Sequence, residues 1–343
     1  MTPLVSILIP AFNSEKWIAD TLRSAIAQTW QRKEIIVVDD GSRDETLAIA
    51  RQFAAEKVRV VTQNNQGAAA ARNKAFSLSQ GDYIQWLDAD DLLAPDKIAA
   101  QMQVLGMCQN NRTLVSSPWE RFFYRYNRMQ WVPTALWSDL SPVEFLLRKM
   151  EQNLFMQTAT WLVSRELTEA AGPWDTRLLG DDDGEYFCRV LLRCENIRFV
   201  PEARVYYRVT SNSLSYIGRS NRKLEAQMHS MQLHIGYLRS MEDSDRVRAA
   251  CVKYMQTWLI NFYPERLDIV EQMEKMATEL GGQLKTPRLS WKYSWIRAIF
   301  GWGLAKRVHL FMPQIKWSLV RFWDKALFRV ESQKLLAAWK QDR

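Results

Sequence analysis

The fold is decided by Tyr83-Ile84-Gln85-Trp86-Leu87-Asp88-Ala89-Asp90-Asp91, a short apolar run that ends in three carboxylates. Carboxylates at this spacing repel one another unless a cation lies between them. Hard divalent ions bind through one or two carboxylates plus the phosphates of a substrate. The stretch therefore predicts a strand that ends at a metal-bound phosphate ester. The alternative is a solvated acidic turn that caps a helix starting near Pro95.

Three strand–loop–helix units precede this stretch. Each begins with an apolar run, continues through a polar loop and ends in apolar residues at helical spacing. The apolar runs cover 5–10, 35–38 and 58–61, and the helical segments begin at Glu15, Asp44 and Ala68. Strands that alternate with helices predict an α/β fold with a parallel sheet. Ligands of such sheets bind beyond the carboxyl ends of the strands, so we expect four polar residues to converge on one crevice: Asn13, Asp40, Arg72 and Asp90.

Four motifs in this region resemble, in their order and spacing, those of family 2 glycosyltransferases. They are Pro10-Ala11-Phe12-Asn13, Val38-Asp39-Asp40-Gly41-Ser42-Arg43-Asp44-Glu45-Thr46, Asn65-Gln66-Gly67-Ala68-Ala69-Ala70-Ala71-Arg72-Asn73 and Leu87-Asp88-Ala89-Asp90-Asp91. The resemblance continues through Gly172-Pro173-Trp174-Asp175, Gly180-Asp181-Asp182-Asp183-Gly184-Glu185 and Tyr207-Arg208, so it covers residues 3–216. It implies a GT-A fold, that is, a Rossmann-like nucleotide-sugar-binding sheet. The sequence has no Arg-Trp dipeptide, which the signature of processive members requires, so the resemblance is to a non-processive bacterial enzyme.

The resemblance implies a donor site at the ends of the strands. Asp40 would accept a hydrogen bond from the nucleobase, and a carboxylate that accepts an imide N–H fits the uracil of a UDP-sugar. Asp90 would bind the metal directly, while Asp88 would contact the ribose and help hold the cation. Mg²⁺ or Mn²⁺ is the expected cofactor, because a metal ion stabilises the leaving diphosphate as a Lewis acid. The other residues assigned to the donor are Pro10, Phe12, Asn13, Glu15, Gly67 and Arg72.

Arg72 has two interpretations that the sequence leaves open. A guanidinium matches the oxygens of a phosphate, so Arg72 is a candidate ligand of the donor diphosphate. Alternatively, it is an arginine on a helix surface that pairs with a carboxylate.

Asp183 is the predicted general base, because a positioned carboxylate commonly deprotonates an acceptor hydroxyl. The resemblance places Glu185 and Arg189 in the positions that follow the base. Asp182 stands where the family usually has Glu, and we assign it to the acceptor site together with Trp174. The acids of 181–183 also suit the positive end of a helix dipole, so a purely structural role is the alternative. Attack by an external hydroxyl in one displacement implies inversion at the anomeric carbon.

Composition predicts one catalytic domain with an appendage, because 343 residues with 47% apolar side chains can bury a large core. We expect the catalytic domain at 1–216, with a nucleotide-binding half at 1–110 and an acceptor-binding half at 111–216. An all-helical region is expected at 217–343. The four cysteines and three histidines lack zinc-ligand spacing. With no basic leader and no apolar run of about 18 residues, we expect a cytoplasmic protein.

The tail, residues 286–343, differs from the rest of the chain. It holds 12 Lys and Arg against 3 Asp and Glu, and it contains six of the 15 tryptophans. Within 314–340, apolar residues recur at helical spacing opposite Arg321, Lys325 and Arg329. Such a basic amphipathic helix is typical of peripheral membrane contact, here at the inner face of the cytoplasmic membrane. The alternative is a helical subdomain that packs its aromatic residues on the catalytic domain. Basic–aromatic mixing also suits nucleic acid, but we expect no nucleic-acid partner.

Residues 119–137 are rich in aromatic side chains and arginine, and their alternation predicts a β-hairpin. For the whole chain, the sequence favours an inverting glycosyltransferase that adds one sugar to a hydroxyl of a glycan or lipid-linked acceptor, in cell-envelope polysaccharide biosynthesis. The alternative is a non-catalytic or nucleotidyl-transferring protein on the same scaffold. The combination of Asp40, Asp90 and Asp183 argues against that alternative.

Overall fold

The computed structural model describes residues 2–54, 58–108, 111–126, 131–210 and 220–341. The strands are β1 (Val5–Ala11), β2 (Lys33–Asp39), β3 (Val58–Thr62), β4 (Tyr83–Trp86), β5 (Leu92–Leu93), β6 (Thr113–Ser116), β7 (Trp119–Phe122), β8 (Val163–Ser164), β9 (Asn196–Phe199) and β10 (Val205–Arg208). The helices are α1 (Ile18–Ile26), α2 (Thr46–Gln52), α3 (Ala68–Ser77), α4 (Lys97–Gly106), α5 (Pro142–Gln152), α6 (Arg165–Ala171), α7 (Asp182–Arg193), α8 (Asn221–Met241), α9 (Asp245–Phe262), α10 (Leu267–Glu279) and α11 (Ser294–Gln341). Strands and helices alternate up to β4, and only helices follow β10 among the described residues.

The central sheet has the strand order β3-β2-β1-β4-β8. Its first four strands are parallel, and β8 runs antiparallel to β4. Every residue of β1 is buried, as expected for an inner strand of a parallel sheet that is covered on both faces. The pairing of Ala11 with Asp39 brings the ends of β1 and β2 to the same edge, where β4 also ends. The predicted α/β fold with a parallel sheet is therefore confirmed.

Two smaller sheets are formed by strands that follow β4 in the chain. β10 lies between β5 and β7, antiparallel to the first and parallel to the second, and β6 pairs with β9. The predicted hairpin at 119–137 is wrong, because β7 pairs with the distant β10 and residues 131–137 form no strand. Residues 127–130 of that segment lie outside the described part of the chain. Alternation correctly marked the strand, in which Trp119 and Phe122 are buried, but it carries no information about the partner strand.

The C-terminal region is helical, as predicted. α8 packs on α7, and α9 packs on α5 and α10, so these helices extend the core of the catalytic half. The predicted boundary at 216 falls within 211–219, outside the described residues. α11 is broken at Gly301, whose φ of 80° lies in the left-handed region that glycine tolerates. None of the described helices combines the length and the apolar character needed to cross a membrane.

Candidate active site

The loop after β2 is organised by Asp40. This side chain is only 2% exposed, and its carboxylate accepts hydrogen bonds from Gln63 Nε2 at 2.8 Å, the Gln66 amide at 2.9 Å and the Gly67 amide at 2.8 Å. Gly67 has a φ of 92° and is the residue directly before α3, so Asp40 also holds the N-terminus of that helix in place. A carboxylate offers about four acceptor positions, and three of them are occupied here. Recognition of a nucleobase by Asp40 stays a prediction that must use the remaining position.

The loop after β1 is tied to the loop after β2 through Asn13 and Glu15. Asn13, with a φ of 47°, accepts a hydrogen bond from the Arg43 amide at 2.9 Å and donates its own amide proton to Ser42 Oγ at 3.0 Å. Glu15 accepts from the Glu45 amide at 3.3 Å. Phe12 is 46% exposed at the top of this loop, whereas Pro10 is buried in β1. Phe12 is therefore the ring of this motif that a planar base can reach.

Arg72 links the loop after β4 to the first turn of α7. Its guanidinium donates to Asp88 Oδ1 at 2.7 Å and to Asp182 Oδ2 at 2.8 Å, and it lies over the Trp174 ring at 4.3 Å. Burial lowers the pKa of Arg72, but the charges of Asp88 and Asp182 outweigh burial and raise it. The structure thus pairs Arg72 with carboxylates, as one of the two interpretations expected, although Arg72 is 6% exposed and not on a helix surface.

The carboxylates after β4 have different environments. Asp91 is fully buried and accepts hydrogen bonds from the Arg208 amide and Gln157 Nε2, so it orients the loop. Asp90 is half-buried, and burial, aided by the charge of Asp88, raises its pKa to about 7. Arg208 opposes this shift only partly. An ionised Asp90 therefore lacks full compensation by the described residues, which is the condition that a bound cation relieves.

Arg208 is a residue to which the sequence assigned no role. Its guanidinium lies between the rings of Trp17, at 4.5 Å, and Phe122, at 4.6 Å. Its Nε donates to the backbone oxygen of Asp90 at 2.8 Å. Arg208 thereby holds the acidic loop against α1 and β7. The only signal in the sequence was the Tyr207-Arg208 motif.

Asp183 lies in the first turn of α7, near the positive end of the helix dipole. Its carboxylate accepts hydrogen bonds from the Gly184 amide at 2.9 Å and Thr158 Oγ1 at 3.4 Å. Burial, followed by the charges of Asp182 and Asp181, raises the pKa of Asp183 to about 7. A carboxylate with this pKa can take a proton near neutral pH, as a general base must.

Residues of α8 hold Asp181, the residue at the N-terminus of α7 that lies two positions before the base. Asp181 has a φ of 56°, and its carboxylate accepts hydrogen bonds from Ser230 Oγ at 2.8 Å and Gln227 Nε2 at 3.4 Å. His234 lies 3.8 Å from the same carboxylate, but burial and the charge of Lys149 lower the pKa of His234 to about 4, so it is neutral. Sequence reasoning missed this network, because its members lie far from Asp181 along the chain.

We expect Ser230→Ala to lower both stability and turnover. Ser230 is fully buried, and its loss removes a hydrogen bond from a charged group, at a cost of about 1–3 kcal/mol in unfolding free energy. Urea unfolding measures that cost, and steady-state kinetics should show a lower kcat at unchanged donor KM. Ser240→Ala is the control, because Ser240 is an exposed residue of the same helix that bonds only to the Tyr237 oxygen. Equal effects of the two substitutions would show that Ser230 does not stabilise the N-terminus of α7.

Trp174 is only 2% exposed and stacks on Tyr186 with ring centroids 4.1 Å apart. Its ring therefore supports Arg72 from below. A direct contact between Trp174 and an acceptor stays a prediction.

A cleft of about 1590 Å³ opens beside this edge of the sheet. Phe12, Glu15 and Asp90 line one side of it. The opposite side comes from α11, whose cleft-lining residues are Ser318, Arg321, Phe322, Lys325 and Phe328. The tail thus lines the same cleft as Phe12, Glu15 and Asp90.

Comparisons with known proteins relate part of the chain to one family. Residues 6–172 match the model of Glycosyl transferase family 2. The chain is 41% identical over 106 residues to the putative teichuronic acid biosynthesis glycosyltransferase TuaG of Bacillus subtilis. The aligned region covers 30% of this chain and 42% of TuaG. Uncharacterized glycosyltransferases of Rickettsia species are 29% to 38% identical to this chain over the aligned residues. The chain spans only 17% to 64% of the length of these relatives.

Two solved structures share the fold. The structure of S. aureus TarS 1-349 in complex with UDP has a TM-score of 0.59 at 16% identity, over 86% of this chain and 79% of that one. The mannosyltransferase PcManGT from Pyrobaculum calidifontis, in complex with GDP-Man and Mn²⁺, has a TM-score of 0.52 at 17% identity, over 96% and 87%. These likenesses concern the fold alone, and they agree with the family model. Residues 6–172 therefore match glycosyl transferase family 2, and the chain shares the GT-A fold of these structures.

Proposed function

We propose that the protein is an inverting, metal-dependent glycosyltransferase that moves one sugar from a nucleotide-diphosphate donor to a hydroxyl. The observation that carries this proposal is the position of Asp183. It lies beside Asp182, which Arg72 links to Asp88 in the loop after β4, and burial raises the pKa of Asp183 to about 7. A single displacement requires a base for the acceptor and acidic residues that hold the donor's metal ion. Asp183 and the loop after β4 supply these groups, and Arg72 connects them.

The proposed metal ligands are Asp90 and Asp88. Among the described residues, no group of three or more His, Cys, Asp or Glu side chains gathers as a metal site. Two carboxylates nevertheless fit Mg²⁺ or Mn²⁺, because such ions commonly bind through one or two carboxylates plus substrate phosphates and water. The raised pKa of Asp90 agrees with this role. When bound, the ion supplies Lewis-acid stabilisation to the leaving diphosphate.

In the proposed reaction, Asp183 accepts the proton of the acceptor hydroxyl as the oxygen attacks the anomeric carbon. The bond to the diphosphate breaks on the opposite face, so the configuration inverts. Asp182 is held by Arg72 and is proposed to orient the acceptor, while Trp174 fixes the Arg72 guanidinium. Thr158 and the Gly184 amide hold the Asp183 carboxylate in place.

The proposed donor is a UDP-sugar. The exposed ring of Phe12 is available for stacking on a base, and the remaining acceptor position of Asp40 suits the N–H of uracil. Asn13, Glu15 and Gly67 shape the loops around this position, and Pro10 supports them from β1. The solved TarS complex contains UDP, which supports a uridine donor, whereas PcManGT contains GDP-Man.

A non-catalytic or nucleotidyl-transferring protein is the second candidate function. A nucleotide-binding role alone gives no reason for a carboxylate with a raised pKa at the N-terminus of α7. The direct test is nucleotide release from several sugar nucleotides, with Mg²⁺ or Mn²⁺ and with hydroxyl acceptors. We expect release that depends on donor, metal and acceptor together. Release of sugar 1-phosphate instead of a nucleoside diphosphate would support nucleotidyl transfer and contradict the proposal.

We also propose that residues 286–341 contact the inner face of the cytoplasmic membrane, so that the enzyme acts in cell-envelope polysaccharide biosynthesis. The name of TuaG supports an envelope role. Large apolar side chains stay exposed along the tail, including Trp291 at 79%, Trp295 at 60% and Phe300 at 60%. Exposed apolar surface of this extent marks an interaction site. Self-association would bring two strongly basic tails together, whereas an anionic bilayer complements their charge.

We expect the triple change Trp291→Ser, Trp295→Ser and Phe300→Ser to weaken binding to anionic vesicles by about tenfold or more, because each buried aromatic contributes about 1.5–3 kcal/mol. Vesicle co-sedimentation of the full chain measures this. Met107→Ser is the control, since Met107 is 72% exposed but lies on α4's C-terminal end. Sedimentation of the triple variant at the wild-type level would contradict membrane contact through the tail.

A further inference from the structure

α11 is fixed against the catalytic half by an unusual pair of acids. Asp324 and Glu331 are the only acidic residues in 286–341 of the sequence, and both bond to Arg125. Asp324 accepts from Arg125 Nε at 2.7 Å and from the Tyr124 amide at 2.9 Å. Glu331 accepts from Arg125 Nη1 at 3.0 Å. The few negative charges of the tail thus attach it to the loop that follows β7.

Aromatic contacts reinforce this attachment. Trp317 packs against Phe123 with ring centroids 5.9 Å apart, and Phe328 packs against Tyr124 at 6.0 Å. These contacts flank residues 318–325, so that part of α11 has a defined position beside the cleft. Arg321 and Lys325 lie one helical turn apart there, and both line the cleft.

The charges of Arg321 and Lys325 are not balanced by protein groups. Neither side chain forms an ion pair with any residue that the structure describes, although Lys325 Nζ lies 5.9 Å from the centre of the Tyr124 ring. Two other arginines of the cleft are paired, since Arg23 and Arg208 both contact Asp20, at 3.0 and 3.4 Å. Arg321 is half-buried. A partly buried guanidinium normally has an anionic partner, and a phosphate matches its geometry.

The size of the cleft indicates whether Arg321 and Lys325 face the donor or a second substrate. Pockets for single small ligands usually measure about 300–1,000 Å³, whereas this cleft measures about 1590 Å³ and can hold a second substrate beside the donor. The donor diphosphate is proposed to lie at Asp88 and Asp90. Beside the two cations, α11 exposes Leu319 at 58% and Phe322 at 66%. A phosphate that adjoins an apolar chain matches this combination of cations and apolar surface.

We propose that Arg321 and Lys325 form a subsite for the phosphate of a lipid-linked acceptor. This inference rests on the proposed transferase function and names the class of its acceptor. The phosphate binds between the two cations, the lipid chain follows the apolar side chains of α11, and the sugar extends along the cleft towards Asp90, beside which the donor diphosphate is proposed to lie. The tail then selects the acceptor as well as contacting the bilayer.

Dodecyl phosphate, at concentrations below micelle formation, is the probe for this subsite. Its binding to the full chain is measured by calorimetry, with and without UDP and Mn²⁺ to occupy the donor site. Uncharged dodecyl glucoside is the matched probe without a phosphate. Arg321→Gln combined with Lys325→Gln should weaken binding of dodecyl phosphate about tenfold or more, because charge-assisted hydrogen bonds are lost. Binding of dodecyl glucoside and of UDP should not change.

Arg329→Gln is the matched control, because Arg329 is an exposed residue one turn further along α11 that does not line the cleft. It should bind dodecyl phosphate as the wild type does, and Lys325→Arg should retain most of the affinity. The two single Gln variants are also measured, so that a folding defect in the double variant leaves the test intact.

Three results would overturn the subsite. Equal weakening by Arg329→Gln would mean that the cations act as diffuse charge towards any lipid headgroup. Weaker UDP binding in the double variant, with unchanged dodecyl phosphate binding, would assign the cations to the donor. Equal affinity of wild type and double variant for dodecyl phosphate would show that these residues do not bind it. Failure of UDP to bind the wild type contradicts the proposed function alone, because the dodecyl phosphate measurement without UDP remains readable.

Discussion

Asp183→Asn should lower sugar transfer by about 10² to 10⁴, the usual contribution of a general base, while donor binding stays at the wild-type level. The amide keeps the size of the side chain and can still accept a hydrogen bond from the Gly184 amide. It cannot take a proton from the acceptor. Burial raises the pKa of Asp183 to about 7, so the wild-type kcat/KM should increase as the pH rises through neutrality and Asp183 ionises. The variant should lose this dependence.

Asp175→Asn is a suitable control for the change at Asp183. Asp175 is a neighbouring carboxylate whose pKa is lowered to about 2 by its hydrogen bonds with Arg177, and it has no proposed part in the chemistry. Turnover of Asp175→Asn should match the wild type. Wild-type turnover of Asp183→Asn would assign the base elsewhere, with Asp182 as the first residue to examine.

Asp90→Ala should abolish the metal dependence of donor binding. Titration calorimetry with UDP, with and without Mn²⁺, should give one affinity for the variant and two for the wild type. The fold should persist, because Arg208 bonds to the backbone oxygen of Asp90, which alanine retains. The raised pKa means that the folded protein disfavours the ionised carboxylate, a penalty that grows as the pH rises from the ordinary pKa of an aspartate to about 7 and is constant above that. Thermal unfolding of the variant at neutral pH should therefore show no loss of stability.

Glu45→Ala provides the control for Asp90, since Glu45 is an exposed acid before α2 whose backbone amide, retained by alanine, makes the contact with Glu15. It should keep the metal-dependent gain in UDP affinity. If Mn²⁺ strengthened UDP binding to Asp90→Ala as much as to the wild type, Asp90 would not be the metal ligand.

The sequence predicted the parts of the fold that depend on local patterns. Apolar runs and helical spacing are local, so β1, β2, β3, β4 and the helices between them were recovered. Their parallel order placed Asn13, Asp40, Arg72 and Asp90 near one edge, because the carboxyl ends of such strands meet there. Within the acidic triplet, the structure distinguishes Asp91, which is buried and orients its loop.

Contacts between distant residues could not be predicted in the same way. The partner of β7 is β10, and no periodicity within 119–137 carries that information. The burial of Trp174 beneath Arg72 could not be read from the sequence either, because an aromatic side chain suits a buried position as well as a binding pocket. The support of Asp181 by Ser230 depends on the packing of α8 against α7, which only the folded chain creates.

The central claim is a single displacement in which Asp183 activates the acceptor. The anomeric configuration of the product tests it most directly, once a donor with an α-linked sugar and an acceptor have been identified by nucleotide release. Proton NMR of the purified product should show a β-glycosidic linkage, because attack occurs on the face opposite the diphosphate. An α-linked product would require retention through another mechanism and would contradict the account.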